Sequence, residues 1–272
     1  MKKFDSIFTY VILGFCSLIA VFPFIWMIST ALKTNKQTFV YPPEWIPNPF
    51  TLDNFNRVWS DLPFGQYILN TVFVTAVVLA GTLLFSSMAA YSFSRLAYPG
   101  RDLIFVVFLG SLMIPEIVTM IPQYIIMKYL GWLDTFKAII APAMFGGAFG
   151  VFLLRQFFRD IPKELDEAAK IDGAGILRTY TSIILPICKP ALSTLSVFVL
   201  VKTWNNFLWP LIVTTSEDHY VISIGLANLQ GQYTADWSGI MASALISLLP
   251  IIVIFGFAQR FFIRSIQMSG LK

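Results

Sequence analysis

The chain has 272 residues, of which 57% are hydrophobic and only 12% are charged, and its formal net charge is +4. Soluble domains carry about 25% charged residues, so this composition excludes an ordinary soluble domain and indicates a membrane protein. The small positive charge does not indicate nucleic-acid binding, because the basic residues gather in connections between apolar runs. A single histidine, His219, and two distant cysteines, Cys16 and Cys188, exclude a histidine metal cluster, a catalytic triad and a disulfide framework. We therefore expect no catalytic residues, no metal site and no cofactor bound by this chain.

Six apolar runs are each long enough to cross a bilayer as a helix, which takes about 20 residues. The first run is too long for a signal peptide and lacks a small-residue cleavage site, so it is predicted to be a retained span. We expect an all-α membrane protein with a first helix and outer loop (1–66), a core (67–260) and a tail (261–272). The six runs are Ile7–Ile28, Tyr67–Phe93, Leu103–Met127, Ala138–Phe158, Ile187–Val213 and Ser238–Gln259.

The distribution of positive charge predicts the orientation of these spans. Most of the 19 Lys and Arg residues lie at the termini and in the second and fourth connections, on one side of the predicted membrane. Cytoplasmic loops carry the excess of Lys and Arg, so both termini are predicted to be cytoplasmic.

The first outer connection, residues 33–66, is rich in proline and aromatic residues and contains the run YPPEWIPNPF. This composition predicts an ordered extracellular cap rather than a flexible linker. Its aromatic residues Tyr41, Trp45 and Trp59 allow two interpretations: a surface that meets a binding protein, or packing over the helix ends.

The cytoplasmic connection 155–189 is predicted to contain two helices. Pro162 suits a first helical turn and Asp160 is placed to cap it. Leu165, Ala168, Ala169 and Asp172 then share one face, with charged residues around it. Gly173 and Gly175 break this helix, and a second helix is expected from Ile176 to Leu185, ended by Pro186. Such a projecting helix suits insertion into a groove on a soluble partner, or an amphipathic loop lying on lipid headgroups.

The same segment resembles the EAA loop of ABC-importer permeases. Glu167-Ala168-Ala169, Gly173, Ile183 and Leu185-Pro186 stand at the spacing of that motif. In the family this loop is the coupling helix, which docks on the cytoplasmic ATPase. The resemblance assigns that role to Glu167, Ala168, Ala169, Asp172 and Gly173.

Further motifs resemble the carbohydrate permeases of the maltose-transporter class. Asn70-Thr71 opens the second span, and residues 204–211 match W-N-x-F-x-x-P-L. The ending at 269–272 is also similar. The resemblance implies the smaller, six-span subunit in a bacterial inner membrane, with a second permease, two ATPase copies that use ATP and Mg²⁺, an extracellular solute-binding protein and a sugar substrate.

Other transport chemistries and an enzyme remain as alternatives. The chain contains no G-x-x-x-x-G-K-[ST], so ATP hydrolysis is expected in a separate subunit. An enzyme or an ion-coupled transporter needs ionisable groups inside the spans, and Glu116 with Lys202 is a small supply. A permease for another polar solute, such as glycerol phosphate, is the nearest alternative.

Polar residues within two spans are candidates for the substrate pathway. Glu116, Asn205 and Asn206 are costly to expose to lipid, so they are expected to face the bundle interior. Trp204 and Trp209 flank the asparagines and offer aromatic faces to a sugar. Alternatively, Asn205 and Asn206 satisfy backbone opened by Pro210, and Glu116 pairs with Lys202.

Overall fold

The computed structural model describes the backbone of residues 2–232 and 236–269, and the side chains of residues 8–60, 62–229 and 236–256. Within these ranges all regular structure is helical, which confirms the all-α prediction. Short 3₁₀ turns lie at Asn35–Phe39, Ser111–Met113 and Glu217–His219. The α-helices are α1 (Lys2–Ala31), α2 (Asp53–Asp61), α3 (Phe64–Arg95), α4 (Arg101–Gly110), α5 (Glu116–Tyr129), α6 (Phe136–Met144), α7 (Ala148–Asp160), α8 (Glu164–Ile171), α9 (Ile176–Thr179), α10 (Leu185–Ile187), α11 (Lys189–Trp204), α12 (Leu208–Val213), α13 (Ile222–Gln232) and α14 (Trp237–Ser269).

The described helices are consistent with six membrane spans. Four stretches are individually long and apolar enough to cross a bilayer, namely Phe8–Ala31, Phe64–Arg95, Phe136–Asp160 and Trp237–Gly256. Two bent helix pairs raise the number to six if each pair counts as one span.

The third predicted span is bent rather than straight. The helical segment that contains α4 ends at Met113, and α5 starts at Glu116 at an angle of 99° to it. Pro115 causes the break, because it lacks an N–H and disfavours helical backbone at the residue before it. Ile114 accordingly has an extended backbone with φ −86° and ψ 116°.

The fifth predicted span is also interrupted. α11 ends at Trp204, and α12 resumes at Leu208. Pro210 lies in the first turn of α12, where a missing N–H costs no hydrogen bond within that helix. Its ring would clash with the carbonyl of Asn206, four residues earlier, so α11 cannot continue into α12 as one regular helix. The Asn206 carbonyl receives no hydrogen bond from Pro210, which has no N–H. Ser223 Oγ donates to this carbonyl instead, at 2.7 Å.

The chain divides into two compact units. One comprises Met1–Gln66 with Gly225–Ile251, and the other comprises Tyr67–Ile224 with Ile252–Lys272.

In the first unit the predicted cap is ordered by polar contacts, because Asn54 Nδ2 donates to the carbonyls of Ala31 and Lys33 at 2.7 and 2.8 Å. Lys33 lies 4.5 Å from the Trp26 ring centroid, and its burial lowers the pKa of its ammonium group. Tyr41, Trp45 and Trp59 remain exposed, although the Trp45 ring packs against Phe22 and Trp26 of α1, with centroids 5.7 and 5.1 Å away.

The second unit has two apolar clusters. One joins the end of α3 to α7, α11 and the segment 180–188, with Leu154, Phe158 and Ile184 fully buried. The other surrounds Trp209 and includes residues of α3, α6 and α12. Between α6 and α7 the chain passes close to α3, since a Cβ on Gly146 would lie only 2.3 Å from Ser86 Oγ and its φ is +77°. Only glycine fits both requirements at that position.

Candidate coupling surface and substrate pathway

The first helix of the predicted coupling loop is α8. It begins at Glu164, with Lys163 in the N-cap position. The prediction that Asp160 caps this helix is wrong, because α7 continues through Asp160, whose helical backbone cannot serve as the cap of a helix starting four residues later. Three acidic residues occupy the first turn, where the helix dipole favours negative charge.

The predicted glycine turn has the hydrogen bonds of a Schellman motif. Ala174 N donates to the Ala169 carbonyl at 2.8 Å, and Gly173 N donates to the Lys170 carbonyl at 3.1 Å. Gly173 has a φ of +75°, which an L side chain rarely adopts. The structure therefore gives a local reason for glycine at this position of the motif.

The five predicted coupling residues do not share one face. Glu167, Ala168, Asp172 and Gly173 are exposed, whereas Ala169 is 4% exposed and packs against the protein. The predicted common surface of Ala168 and Ala169 is therefore wrong: neighbouring positions on a helix point about 100° apart, and only Ala168 is available to a partner.

Arg95, which was not predicted as a site residue, attaches α8 to the end of α3. Its side chain is 4% exposed and its Nη1 lies 2.6 Å from Asp166 Oδ2. Its other terminal nitrogen donates to the carbonyls of Phe158 and Ile161, the latter at 2.6 Å. One guanidinium thus joins three segments: the end of α3, the end of α7 and the first turn of α8.

The second helix of the loop is also attached to α3. Tyr180 hydrogen bonds with Ser87 at 2.7 Å, and its ring lies 5.2 Å from that of Tyr91. The helix runs through a π-helical turn to Ile187, past Pro186, and the chain then bends by 78° at Cys188. The helix was predicted to end at Pro186, and it ends one residue later, at Ile187.

A cavity of about 280 Å³ lies among α3, the α6–α7 connection and α11. Its polar lining includes two of the predicted pathway residues, Glu116 and Asn206, together with Lys202 and Thr203. Glu116 and Lys202 form an ion pair, so the pairing foreseen as an alternative is present. Both side chains are mostly exposed in this single chain, at 77% and 71%.

The remaining predicted pathway residues lie elsewhere. Asn205 is exposed but does not line the cavity; its Nδ2 donates to the Val201 carbonyl at 2.9 Å and caps its own helix. Trp204 and Trp209 are 5% and 7% exposed and also lie outside the lining. Trp209 Nε1 donates to the Ala138 carbonyl at 2.9 Å. The structure therefore assigns the two tryptophans to the packed interior, away from the cavity.

The sequence matches the family described as "Binding-protein-dependent transport system inner membrane component" over residues 82–268. The chain belongs to this family. The predicted resemblance to ABC-importer permeases is thereby confirmed, and the chain is a multi-pass inner-membrane permease.

Similar permeases of known systems cover nearly the whole chain. The arabinooligosaccharides transport system permease protein AraQ of Halalkalibacterium halodurans is 34% identical, over 95% of this chain and 94% of its own. The trehalose/maltose transport system permease protein MalG of Thermococcus litoralis is 34% identical, over 94% and 93%. The sn-glycerol-3-phosphate transport system permease protein UgpE of Yersinia pestis is 31% identical, over 96% and 95%.

Two solved structures support the permease fold. A chain of a bacterial ABC transporter for import of the acidic polysaccharide alginate superposes with a TM-score of 0.83, at 24% identity, covering 96% of this chain and 97% of that one. A chain of the alginate transporter in complex with a periplasmic protein that holds an alginate pentasaccharide gives a TM-score of 0.69, at 17% identity, covering 94% and 93%. At these identities the likeness establishes the fold alone.

The Asn70-Thr71 pair of this permease orders the loop between α12 and α13. Asn70 Nδ2 donates to the carbonyls of Asp218 and Tyr220, each at 2.8 Å, and Thr71 Oγ1 accepts from Ile222 N at 2.8 Å. The pair was recognised as a motif, but its partners are about 150 positions away, so sequence alone did not indicate this role.

Asp134 orders the start of the same loop, and the sequence did not indicate it as a functional residue. Its Oδ1 accepts hydrogen bonds from Thr215 N at 2.9 Å and from the backbone and side chain of Ser216 at 3.0 and 2.9 Å. These bonds favour the ionised carboxylate and lower the pKa of Asp134 to about 2. Its φ of 57° was the only distinctive local feature, and no sequence pattern reveals it.

Proposed function

We propose that this permease is one of two membrane subunits of an ATP-driven importer for a sugar or oligosaccharide, and that α8 is its docking element for the ATPase. Both termini lie in the cytoplasm, an ATPase dimer binds ATP and Mg²⁺ there, and an extracellular solute-binding protein delivers the substrate. The exposed outer side of α8, together with its attachment through Arg95, carries this proposal. A helix that is free on one side and held on the other can transmit a partner's movement into the spans.

ATP-driven closure of the ATPase dimer moves α8 and reorients the spans around the cavity. The permease supplies no energy of its own, so its conformational equilibrium shifts only through the difference in partner contacts between two states. Glu167, Ala168, Asp172 and Gly173 meet the ATPase, while Ala169 supports α8 from inside.

Replacing one of two neighbouring glycines tests the docking role. A Cβ on Gly173 or Gly175 would meet no atom within 4 Å, but φ is +75° at Gly173 and −73° at Gly175. Gly173→Ala should misplace α8 and cost about 1–2 kcal/mol. In the assembled importer we expect Gly173→Ala to weaken ATPase association at least about fivefold, and Gly175→Ala to leave it unchanged.

The association constant measured in nanodiscs, with sugar uptake beside it, decides between outcomes. Equal association for both variants would contradict docking through this turn. Loss of both variants from the membrane fraction would instead indicate a folding defect. The unfolding temperature of each variant distinguishes such a defect from weakened docking.

The cavity between the helices is proposed as the substrate pathway, with a sugar as the substrate class. Its lining combines an amide, hydroxyls and a paired acid and base, the groups that hydrogen bond with sugar hydroxyls. Three similar permeases belong to arabinooligosaccharide, trehalose/maltose and glycerol-phosphate systems. A phosphate ester would require surplus positive charge, but Lys202, the one cation among the described lining residues, is already paired with Glu116. The lining therefore favours a neutral sugar over glycerol phosphate.

Two adjacent asparagines provide the matched test of this pathway. Asn206 lines the cavity and Asn205 does not. Asn206→Ala should raise the KM for uptake several-fold without weakening ATPase association, and Asn205→Ala should change the KM little. If Asn205→Ala alone impairs uptake, or if neither does, the pathway lies elsewhere.

A further inference from the structure

A second cavity, of about 550 Å³, lies beside the ends of α3 and α7 and the start of α4. It is separate from the substrate cavity and shares no lining residue with it. Its ionisable lining comprises five cations and one carboxylate, namely Arg95, Arg101, Arg155, Arg159, Lys163 and Asp102.

The positive charge around this cavity is incompletely balanced. Asp102 is shared by Arg101 and Arg155, each with a contact of 3.2 Å. Arg159 and Lys163 are exposed, and their side chains form no hydrogen bond or ion pair with any residue whose side chain is described. Apart from the Arg95–Asp166 pair, four cations therefore face a single carboxylate.

Two arginines of the lining are buried. The side chain of Arg155 is 12% exposed, and its guanidinium lies 3.9 Å from the centre of the Phe105 ring. That of Arg95 is 4% exposed, and its Nε is buried without a hydrogen-bond partner among the described atoms. A guanidinium cannot lose its charge inside a protein, so an anion in this cavity would relieve the electrostatic cost of crowding these groups.

The apolar surroundings indicate what kind of anion fits. Val106 lines the cavity and also belongs to an exposed apolar face of α4, which includes Leu103 and Val107 at 70% and 69% exposure. Basic residues beside an exposed apolar helix face suit a molecule with a phosphate head and hydrocarbon tails. A free phosphate would use the basic residues but gain nothing from α4.

We propose that this cavity binds the headgroup of an anionic phospholipid, whose acyl chains lie along the exposed face of α4. Arg155 and Arg159 contact the phosphate from α7, and Lys163 contacts it from the start of the coupling loop. This assignment does not depend on which solute the permease carries.

Lipid retention by the complete importer tests the proposal. The side chains of Arg159 and Lys163 form no hydrogen bond or ion pair within the described part of the chain, so Arg159→Gln/Lys163→Gln should fold and assemble normally. Each basic residue near a membrane surface contributes about a fivefold gain in affinity for anionic lipid. The double variant should therefore bind phosphatidylglycerol about 30-fold more weakly, as measured by native mass spectrometry and by titration in detergent. Arg178→Gln removes an exposed cation of the same loop outside the cavity and should bind phosphatidylglycerol normally.

Three results would overturn the proposal. The first is equal binding of phosphatidylglycerol and phosphatidylcholine by the unaltered importer. The second is inorganic phosphate binding with the same affinity as the lipid, which would make the cavity a free-anion site. The third is unchanged lipid binding in the double variant with loss of ATPase association, which would show that Arg159 and Lys163 face the partner subunit.

Discussion

The proposed coupling loop and the proposed substrate cavity are built in opposite ways. The coupling loop is held to α3 by specific side-chain bonds, from Arg95 to Asp166 and between Ser87 and Tyr180. The cavity lies where helices are interrupted, at residues 114–115, 145–147 and 205–207. A fixed attachment suits a segment that receives force from a partner, whereas helix breaks give short segments whose directions can change with few lost hydrogen bonds.

Breaking the attachment of α8 should have the largest effect. Arg95→Gln leaves Asp166 unpaired and two backbone carbonyls without their donor. Removing one partner of a buried pair costs about 3–5 kcal/mol. We expect severe loss of sugar uptake, with ATP hydrolysis persisting but no longer stimulated by loaded binding protein. The measurement is the ratio of ATP hydrolysed to sugar transported in proteoliposomes.

The partner variant distinguishes this specific link from general instability. Asp166→Asn keeps the shape of the side chain and removes its charge, so its effect should be smaller. Adding it to Arg95→Gln should cost less than the sum of the two single changes. Strict additivity would show that Arg95 acts only through the Phe158 and Ile161 carbonyls.

What the sequence revealed about these two regions depended on distance along the chain. The turn at Gly173 involves residues within five positions of one another, so local spacing was sufficient. The Arg95–Asp166 contact joins residues 71 positions apart. Nothing in apolar periodicity specifies which arginine at a span end meets which carboxylate. An arginine directly after the second span was the only visible signal.

The helix breaks were only partly predictable. Pro115 and Pro210 were visible in the sequence, but membrane helices also tolerate proline, so their presence did not establish a bend. The turn of 99° between Met113 and Glu116 was therefore not predicted. The two tryptophans beside the asparagines were expected to face a sugar, yet burial of large aromatic surface decided their orientation.

Changing Trp209 tests that assignment to the interior. Trp209→Phe keeps most of the apolar volume but leaves the Ala138 carbonyl without its donor, which costs about 1–3 kcal/mol. We expect a lower unfolding temperature and an unchanged KM for uptake. A raised KM with unaltered stability would restore the interpretation of Trp209 as a sugar-contacting residue.

The Glu116–Lys202 pair should matter for transport and little for stability. Exposed ion pairs contribute about 0–1 kcal/mol. Lys202→Met leaves an unpaired carboxylate at the cavity and should lower uptake of a neutral sugar several-fold, and Glu116→Gln/Lys202→Met should recover part of it. Lys128→Met removes an exposed cation of α5 outside the cavity and serves as the control. Uptake rates and thermal unfolding of the four proteins test this, and identical uptake in all would exclude a role for the pair.

The smallest effect is expected at the loop between α12 and α13, where Asp134 provides a third kind of attachment, to backbone N–H groups. Its pKa of about 2 lies below the ordinary value of 3.8, so the carboxylate stabilises the folded state above about pH 4, and this contribution is lost as the pH falls towards 2. Asp134→Asn keeps an acceptor and tolerates the φ of 57°. The unaltered permease should unfold at a slightly higher temperature than this variant from pH 7 to about pH 4, and the difference should shrink below that. A constant difference between Asp134→Asn and the unaltered permease down to pH 2 would contradict the assigned role of the carboxylate.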